Sequence, residues 1–139
     1  MKEDHFSEPC VLCECFLNFD DNDAPLNINP YLIAENPYNS TEDQCLANCI
    51  MDDRCAAATY GLAGGRQIIT CEFYEEIRLE DLIYIPYMKM HTKIKNTNCT
   101  TKAENFEPMV MTNGTDSSSE RRQKRVKLAG KTNFFYNGR

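Results

Sequence analysis

Four cysteines in the middle of the chain constrain its fold more than any other feature. Cys45, Cys49 and Cys55 lie in STEDQCLANCIMDDRCAAATY, and Cys71 follows in IITCEFY, which gives the spacing C-x3-C-x5-C-x15-C. Cys45 and Cys49 are one helical turn apart, so they project from the same face of a helix. The pattern predicts a helix joined to a sheet by disulfides.

The helix itself is the clearest local prediction. Thr41 and Gln44 fit the S/T-x-x-E/Q capping box, and Glu42 and Asp43 place negative charge in the first turn. We expect this helix to end near residues 52–54.

Strands are predicted on both sides of the helix. Before it lie CFLNFD and pieces of LNINPYLIAENPYN. After it come CAAATYG and QIITCEFYE, joined by the LAGGR loop. IRLEDLIYIP is expected to be irregular or a turn of helix, ended by Pro86. YMKMHTKIK alternates, which predicts a half-exposed strand with Met88 and Met90 on one side and Lys89, His91 and Lys93 on a solvated side.

The cysteine content favours an oxidising compartment. Eight cysteines in 139 residues would be a liability as free thiols in the cytosol. Asn39, Asn98 and Asn113 each begin an N-glycosylation sequon, which agrees with a secretory route. We therefore expect a location outside the cell, either secreted or on the extracellular side of a membrane protein.

The beginning of the chain lacks the apolar core of a signal peptide, and no apolar run is long enough for a membrane span. We therefore expect a processed form, or an excerpt of a longer secreted or membrane-anchored protein with neighbouring domains, and no direct membrane insertion of this segment.

Charge is distributed unevenly along the chain. Residues 1–119 hold 8 basic and 20 acidic side chains, whereas residues 120–139 hold 7 basic and 1 acidic. The acidic part argues against nucleic acid or an anionic membrane as a partner. From about Asn96 the sequence is polar and loses periodicity, so order is expected to fade there.

The arrangement from Cys15 to Cys99 resembles the PAN/apple family, on the strength of the capped helix, its cysteines, the CAAATY strand and CEFY. The resemblance implies an α+β fold with a single helix packed on a curved antiparallel sheet. It also implies the pairs Cys45–Cys71 and Cys49–Cys55, with a bridge Cys15–Cys99 joining the ends of the domain. Cys10 and Cys13 are not needed by the family pattern.

The pairing of the N-terminal cysteines therefore stays open at this point. Cys10 and Cys13 pair with each other or with a neighbouring domain, and Cys13–Cys99 with a shifted partner for Cys15 is a further arrangement among the 105 that eight cysteines allow. The predicted organisation is a cysteine-containing segment 1–14, a PAN/apple-like domain 15–99, a disordered Ser-rich linker 100–125 and a basic-aromatic tail 126–139.

Chemically active sites find little support in the sequence. Cys10-x2-Cys13-x-Cys15 near His5 has no second half at zinc-finger spacing, and the acidic residues that flank Cys10 and Cys13 disfavour a redox pair. The carboxylates of DDNDAP lack calcium-loop spacing. We expect no catalytic residues, no metal and no cofactor.

Two functions remain in view. The resemblance implies a non-enzymatic extracellular module that binds protein or carbohydrate, with Tyr31, Tyr38, Tyr84 and Tyr87 as candidate anchors. The alternative is a secreted precursor, because Arg122, Lys124 and Arg125 fit the R-x-K/R-R pattern of secretory convertases. Cleavage after Arg125 would release the basic-aromatic C-terminal piece.

Overall fold

The computed structural model of the protein describes residues 10–63, 68–95 and 98–114. It is an α+β fold with one main helix and a six-stranded antiparallel sheet. The elements in chain order are β1 Phe16–Asp23, β2 Leu32–Ala34, α1 Glu42–Ile50, β3 Ala57–Ala63, β4 Ile68–Tyr74, β5 Ile83–Lys93, α2 Thr100–Ala103 and β6 Met111–Asn113. Short 3-10 turns lie at Val11–Cys15, Pro37–Asn39 and Leu79–Asp81.

The sheet order is β1-β5-β3-β4-β2-β6. β3 and β5 are therefore interior strands, and β1 and β6 form the two edges. β5 runs through Pro86, which the sequence had suggested as the end of an irregular stretch. Proline is tolerated here because the pairing of β1 with β5 is interrupted between Asp20 and Asn22, so no ladder hydrogen bond is required of it.

The irregularity between β1 and β5 is held by side-chain and backbone contacts. Asp21 and Tyr87 both have positive φ, 60° and 71°, and the Tyr87 amide donates to Asp21 Oδ1 at 2.9 Å. Gly61 on β3 faces this point, where an added Cβ would lie 2.3 Å from the Tyr87 carbonyl oxygen. Glycine is required because the backbone of β5 approaches β3 too closely for any side chain.

The helix begins as predicted. The Gln44 amide donates to Thr41 Oγ1 at 3.2 Å and the Thr41 amide donates to Gln44 Oε1 at 3.1 Å, which completes the capping box. α1 ends at Ile50, slightly before the predicted 52–54, and a turn leads on to Cys55.

Four disulfides join these elements: Cys10–Cys13, Cys15–Cys99, Cys45–Cys71 and Cys49–Cys55. Cys45 connects α1 to β4, and Cys49 connects the end of α1 to the start of β3. The sheet is buried on both sides. Leu46, Tyr60 and Phe73 belong to the core under the helix, whereas Tyr74 and Met90 belong to a smaller core on the opposite side of the sheet.

Order continues past Cys99, so the expectation that it fades from about Asn96 is wrong for residues 98–114. α2 follows Cys99 directly, and β6 pairs with β2 through Ile33 and Thr112. Ala103 is buried in the main core. The described part of the predicted 100–125 linker is therefore packed structure, while residues 115–125 and the tail 126–139 lie outside the described residues. Among those described, no helix has the length and apolar character needed to cross a membrane.

Candidate functional site

A buried polar network lies between the first turn of α1 and the sheet. His91 Nε2 is 2.9 Å from Glu42 Oε2, and His91 Nδ1 is 2.6 Å from Asn18 Oδ1. His91 is 1% exposed and Glu42 5%. Lys89 Nζ approaches the same Glu42 oxygen at 3.9 Å. The prediction that His91 is solvated is therefore wrong.

The face of β5 explains this correction. Lys89, His91 and Lys93 do share one face, as the alternation predicts, but that face is turned toward the helix. Met88 and Met90 are buried on the opposite side. His91 is buried under the helix on this face, whereas Lys89 and Lys93 beside it stay half-exposed.

The side chain of His91 is held on both sides of its ring. Asn18 Nδ2 donates to the Cys13 carbonyl at 3.0 Å, which turns Asn18 Oδ1 toward His91. Both ring nitrogens therefore face oxygen atoms, one of a carboxylate and one of an amide. His91 and Glu42 form a buried hydrogen-bonded pair.

The next helix residue, Asp43, holds the N-terminal segment. Its carboxylate accepts from the Leu12 amide at 2.8 Å and from the Val11 amide at 3.1 Å, and its Oδ1 is 3.7 Å from Cys10 Sγ. Leu12 is fully buried in the main core. The Cys10–Cys13 bridge is therefore fixed against the start of α1.

Lys93 contacts the C-terminal end of the helix α1. Its Nζ donates to the carbonyls of Cys49 at 2.7 Å and Asp52 at 3.1 Å. A cation at a helix C-terminus interacts favourably with carbonyls that have no partner within the helix. Burial lowers the pKa of Lys93. These contacts tie the strand to the end of the helix, so their role is structural.

An open groove on the surface is the best candidate for ligand binding; we call it the Tyr31 groove. It encloses about 340 Å³ and is lined by Ile28, Asn29, Tyr31, Glu75, Glu76 and Arg78. The Tyr31 hydroxyl donates to Asp52 Oδ2 at 2.8 Å, and the Arg54 guanidinium carbon lies 4.4 Å from the centre of the Tyr31 ring. The aromatic wall of the groove is therefore held in place before any ligand arrives.

The charges around the groove are paired in a defined way. Arg54 Nε donates to Glu75 Oε2 at 3.0 Å, and this hydrogen bond lowers the pKa of Glu75. Arg78 bonds Glu80 Oε2 at 2.7 Å through Nη2. Burial, followed by the hydrogen bond to Asp52, raises the pKa of Tyr31. The groove thus offers carboxylates, a guanidinium, an amide and an aromatic ring, the groups that bind hydroxyl-rich or peptide ligands.

The four tyrosines predicted as anchors lie apart in the fold. Tyr31 lines the groove, whereas Tyr87 packs against the main core at the irregularity between β1 and β5. Tyr38 and Tyr84 are the most exposed, at 61% and 60%. Tyr38 lies in the 3-10 turn before α1 and Tyr84 pairs with Asn22 near the sheet edge.

The glycosylation and processing residues are placed as follows. The backbone of Asn39 lies in the 3-10 turn Pro37–Asn39, Asn98 is exposed just before Cys99, and Asn113 is exposed on edge strand β6. The predicted cleavage residues Arg122, Lys124 and Arg125 lie outside the described residues.

One cluster among the described residues has metal-ligand chemistry. The Sγ atoms of Cys10 and Cys13 and a carboxylate oxygen of Glu42 lie within 4.8 Å of one another. While the disulfide is closed, its sulfurs are bonded to each other and are not thiolate ligands. Sequence reasoning missed Glu42 and Asn18 as members of this region, because only the tertiary fold brings them to His91.

The fold and its bridges define a disulfide-stapled α+β module with an open polar groove. Comparison with protein-family models, with curated proteins and with solved structures gave no match. The likeness to the PAN/apple family therefore rests on the sequence pattern alone.

Proposed function

We propose that this chain is a non-enzymatic extracellular module that binds a protein or glycan ligand through the Tyr31 groove. It acts as a PAN/apple-like unit of a larger secreted or membrane-anchored protein. The observation that carries the proposal is the groove itself, in which Tyr31 is fixed by Asp52 and Arg54 beside exposed polar side chains.

Preorganisation supports a binding role for the groove. A ligand that meets an aromatic ring already held by a hydrogen bond and a cation loses less free energy in ordering the site. Asn29, Glu76 and Arg78 add donors and acceptors at the rim, and Ile28 adds apolar area. The bridges Cys45–Cys71 and Cys49–Cys55 hold the helix to the sheet, which supports a rigid surface in a domain of this size.

The proposal is tested by screening the folded, oxidised chain against a glycan array and a library of secreted and cell-surface proteins. Asn29→Ala and Glu76→Ala remove groove side chains that are exposed in the free protein. Each is expected to weaken a specific ligand at least about tenfold, since the polar groups it removes fix ligand orientation.

Matched controls exist on the same chain. Asn105→Ala and Glu104→Ala change exposed residues of the same types outside the groove and should leave binding unchanged. Loss of binding in the controls and not in the groove variants would place the ligand elsewhere. No ligand in either screen, with the chain folded, would overturn the proposal.

The second function is a secreted precursor cleaved after Arg125, with the folded part as carrier. It is favoured by Arg122-Gln-Lys-Arg125, which follows the last described strand in the sequence, and by the basic charge of the tail. Mass spectrometry of the native protein tests it directly. A mature form that ends at Arg125 supports cleavage, and an intact Arg125–Val126 bond in all mature material refutes it.

A further inference from the structure

The Cys10–Cys13 bridge differs from the other three disulfides. Both its cysteines are half-buried, whereas Cys15, Cys45, Cys49, Cys55, Cys71 and Cys99 are all buried. It also closes the shortest loop, with a sequence separation of 3 against 84 for Cys15–Cys99. Short loops restrict the unfolded chain least, so this bridge contributes least to stability. Because its two cysteines are only half-buried, it is also the most accessible of the four bridges to a reductant.

The segment around this bridge is held independently of it. Asp43 accepts from the amides of Val11 and Leu12, and Asn18 donates to the Cys13 carbonyl. Leu12 is fully buried. Cys10 and Cys13 therefore stay at the start of α1 when the bond between them is opened.

Opening the bridge places two thiols beside a buried carboxylate. A Glu42 oxygen lies within 4.8 Å of both sulfurs, and its Oε2 is fixed by His91 Nε2 at 2.9 Å. Two thiolates and a carboxylate are ligands that Zn²⁺ accepts, and a fourth position is left for water. A carboxylate oriented by a second hydrogen-bonded group is the usual arrangement around protein metal sites.

The groups around the cluster suit such a site. The Glu42 carboxylate lies 2.9 Å from His91 Nε2 and 3.9 Å from Lys89 Nζ, and the Asp43 carboxylate accepts from the Val11 and Leu12 amides. Two thiolates would neutralise a divalent ion, so binding the metal adds no net charge to a partly buried region, where an unpaired charge is costly.

We propose that Cys10, Cys13 and Glu42 form a redox-gated site for Zn²⁺. A dithiol reductant opens the gate: one of its thiolates attacks a sulfur of the bridge, forming a mixed disulfide and releasing the other cysteine as a thiolate. The second thiolate of the reductant then displaces the first cysteine. The reductant leaves as a disulfide, the cysteine pair gains its two electrons, and Zn²⁺ takes the place of the two thiol protons.

The first test asks which bridge opens. The full chain is treated with a limiting amount of dithiol, the free thiols are alkylated, and the peptides are mapped by mass spectrometry. Cys10 and Cys13 are expected to be labelled first, with an unchanged circular dichroism spectrum. Labelling of any of the six buried cysteines before or together with them would overturn the proposal.

The second test asks whether the opened site binds metal. The partly reduced chain, freed of reductant, is titrated with Co²⁺ as a spectroscopic substitute for Zn²⁺, and thiolate-to-cobalt charge-transfer absorption reports binding. Saturation at one ion per chain, displaced by Zn²⁺, is expected. Absence of the absorption, or the same absorption in the oxidised chain, would overturn the gated site.

Variants separate ligation from mere proximity. The double change Cys10→Ser and Cys13→Ser should abolish the absorption while the other three bridges keep the fold. Glu42→Gln should lower Co²⁺ affinity at least about tenfold, whereas the exposed Glu104→Gln should leave it unchanged. If Glu42→Gln does not fold, the double change Glu42→Leu and His91→Leu removes the same carboxylate without leaving its partner buried alone. Unchanged affinity in a folded variant that lacks the Glu42 carboxylate would overturn the proposed site.

Discussion

Replacement of His91 by leucine leaves the carboxylate of Glu42 buried without its closest partner. Removing one member of a buried ion pair costs about 3–5 kcal/mol. Lys89 Nζ stays 3.9 Å from the same carboxylate and is 30% exposed, so it retains part of the compensation. We therefore expect His91→Leu to lower the free energy of unfolding by about 3 kcal/mol, the low end of that range.

Replacing both members should cost much less than replacing one. In the double variant Glu42→Leu and His91→Leu, no charge of the pair remains buried, and apolar side chains of similar size fill the space. Substitutions of this kind are often neutral or stabilising. We expect the double variant to lose at most about 1 kcal/mol, so the two changes are strongly coupled.

Urea unfolding under non-reducing conditions, followed by circular dichroism, measures these free energies. Lys95→Leu, an exposed change just beyond the end of β5, is the matched control and should stay within about 0.5 kcal/mol of the parent. A loss below about 1 kcal/mol in His91→Leu, or a double variant that loses the sum of the single changes, would refute the energetic coupling between His91 and Glu42.

Three further predictions concern the helix cap, the irregularity between β1 and β5, and the groove. Thr41→Ala removes the cap that the Gln44 amide uses and should cost about 1 kcal/mol in urea unfolding, whereas Thr41→Ser should cost little. Gly61→Ala places a Cβ against the Tyr87 carbonyl and should cost about 3 kcal/mol, and a neutral result would contradict this close approach. Because the pKa of Tyr31 is raised in the fold, its contribution is complete below the unfolded pKa of about 10 and is lost as the pH rises above it. Tyr31→Phe should therefore cost about 1 kcal/mol at neutral pH and flatten the alkaline decline; an unchanged decline would contradict the shift.

The local elements near α1 could be predicted because their signals are local. The capping box uses four consecutive residues, and both of its hydrogen bonds form in the structure. The strands around Tyr60 and Phe73 were expected from runs of β-branched, aromatic and small residues, and β3 and β4 follow those runs. The α+β class that the resemblance implies is also the class observed.

The orientation of β5 could not be predicted from its alternation. Period-two alternation shows that Lys89 and His91 share a face, but it does not show which face is buried or whether both are. The answer depends on β5 lying between β1 and β3, with the first turn of α1 above His91. No residue near His91 in the sequence indicates Glu42, which is 49 positions away.

The last strand was missed for a similar reason. Met111–Asn113 is short, and its sequence shows no periodicity by itself; it is a strand because the edge of β2 is available to pair with it. The Tyr31 groove likewise joins segments around residues 28–31 and 75–78 that the sequence separates.

A capped helix, the strands that flank it and an even set of cysteines typical of an oxidising compartment can all be read from the amino-acid sequence. Those features depend on contacts within a few residues, or on composition. The tertiary structure alone decided that His91 is buried against Glu42, that Cys10 and Cys13 lie beside that pair, and that Tyr31 forms the wall of a groove. Each of these depends on distant segments meeting in space, and the free energy of burying a charge or a ring is set by what it meets there.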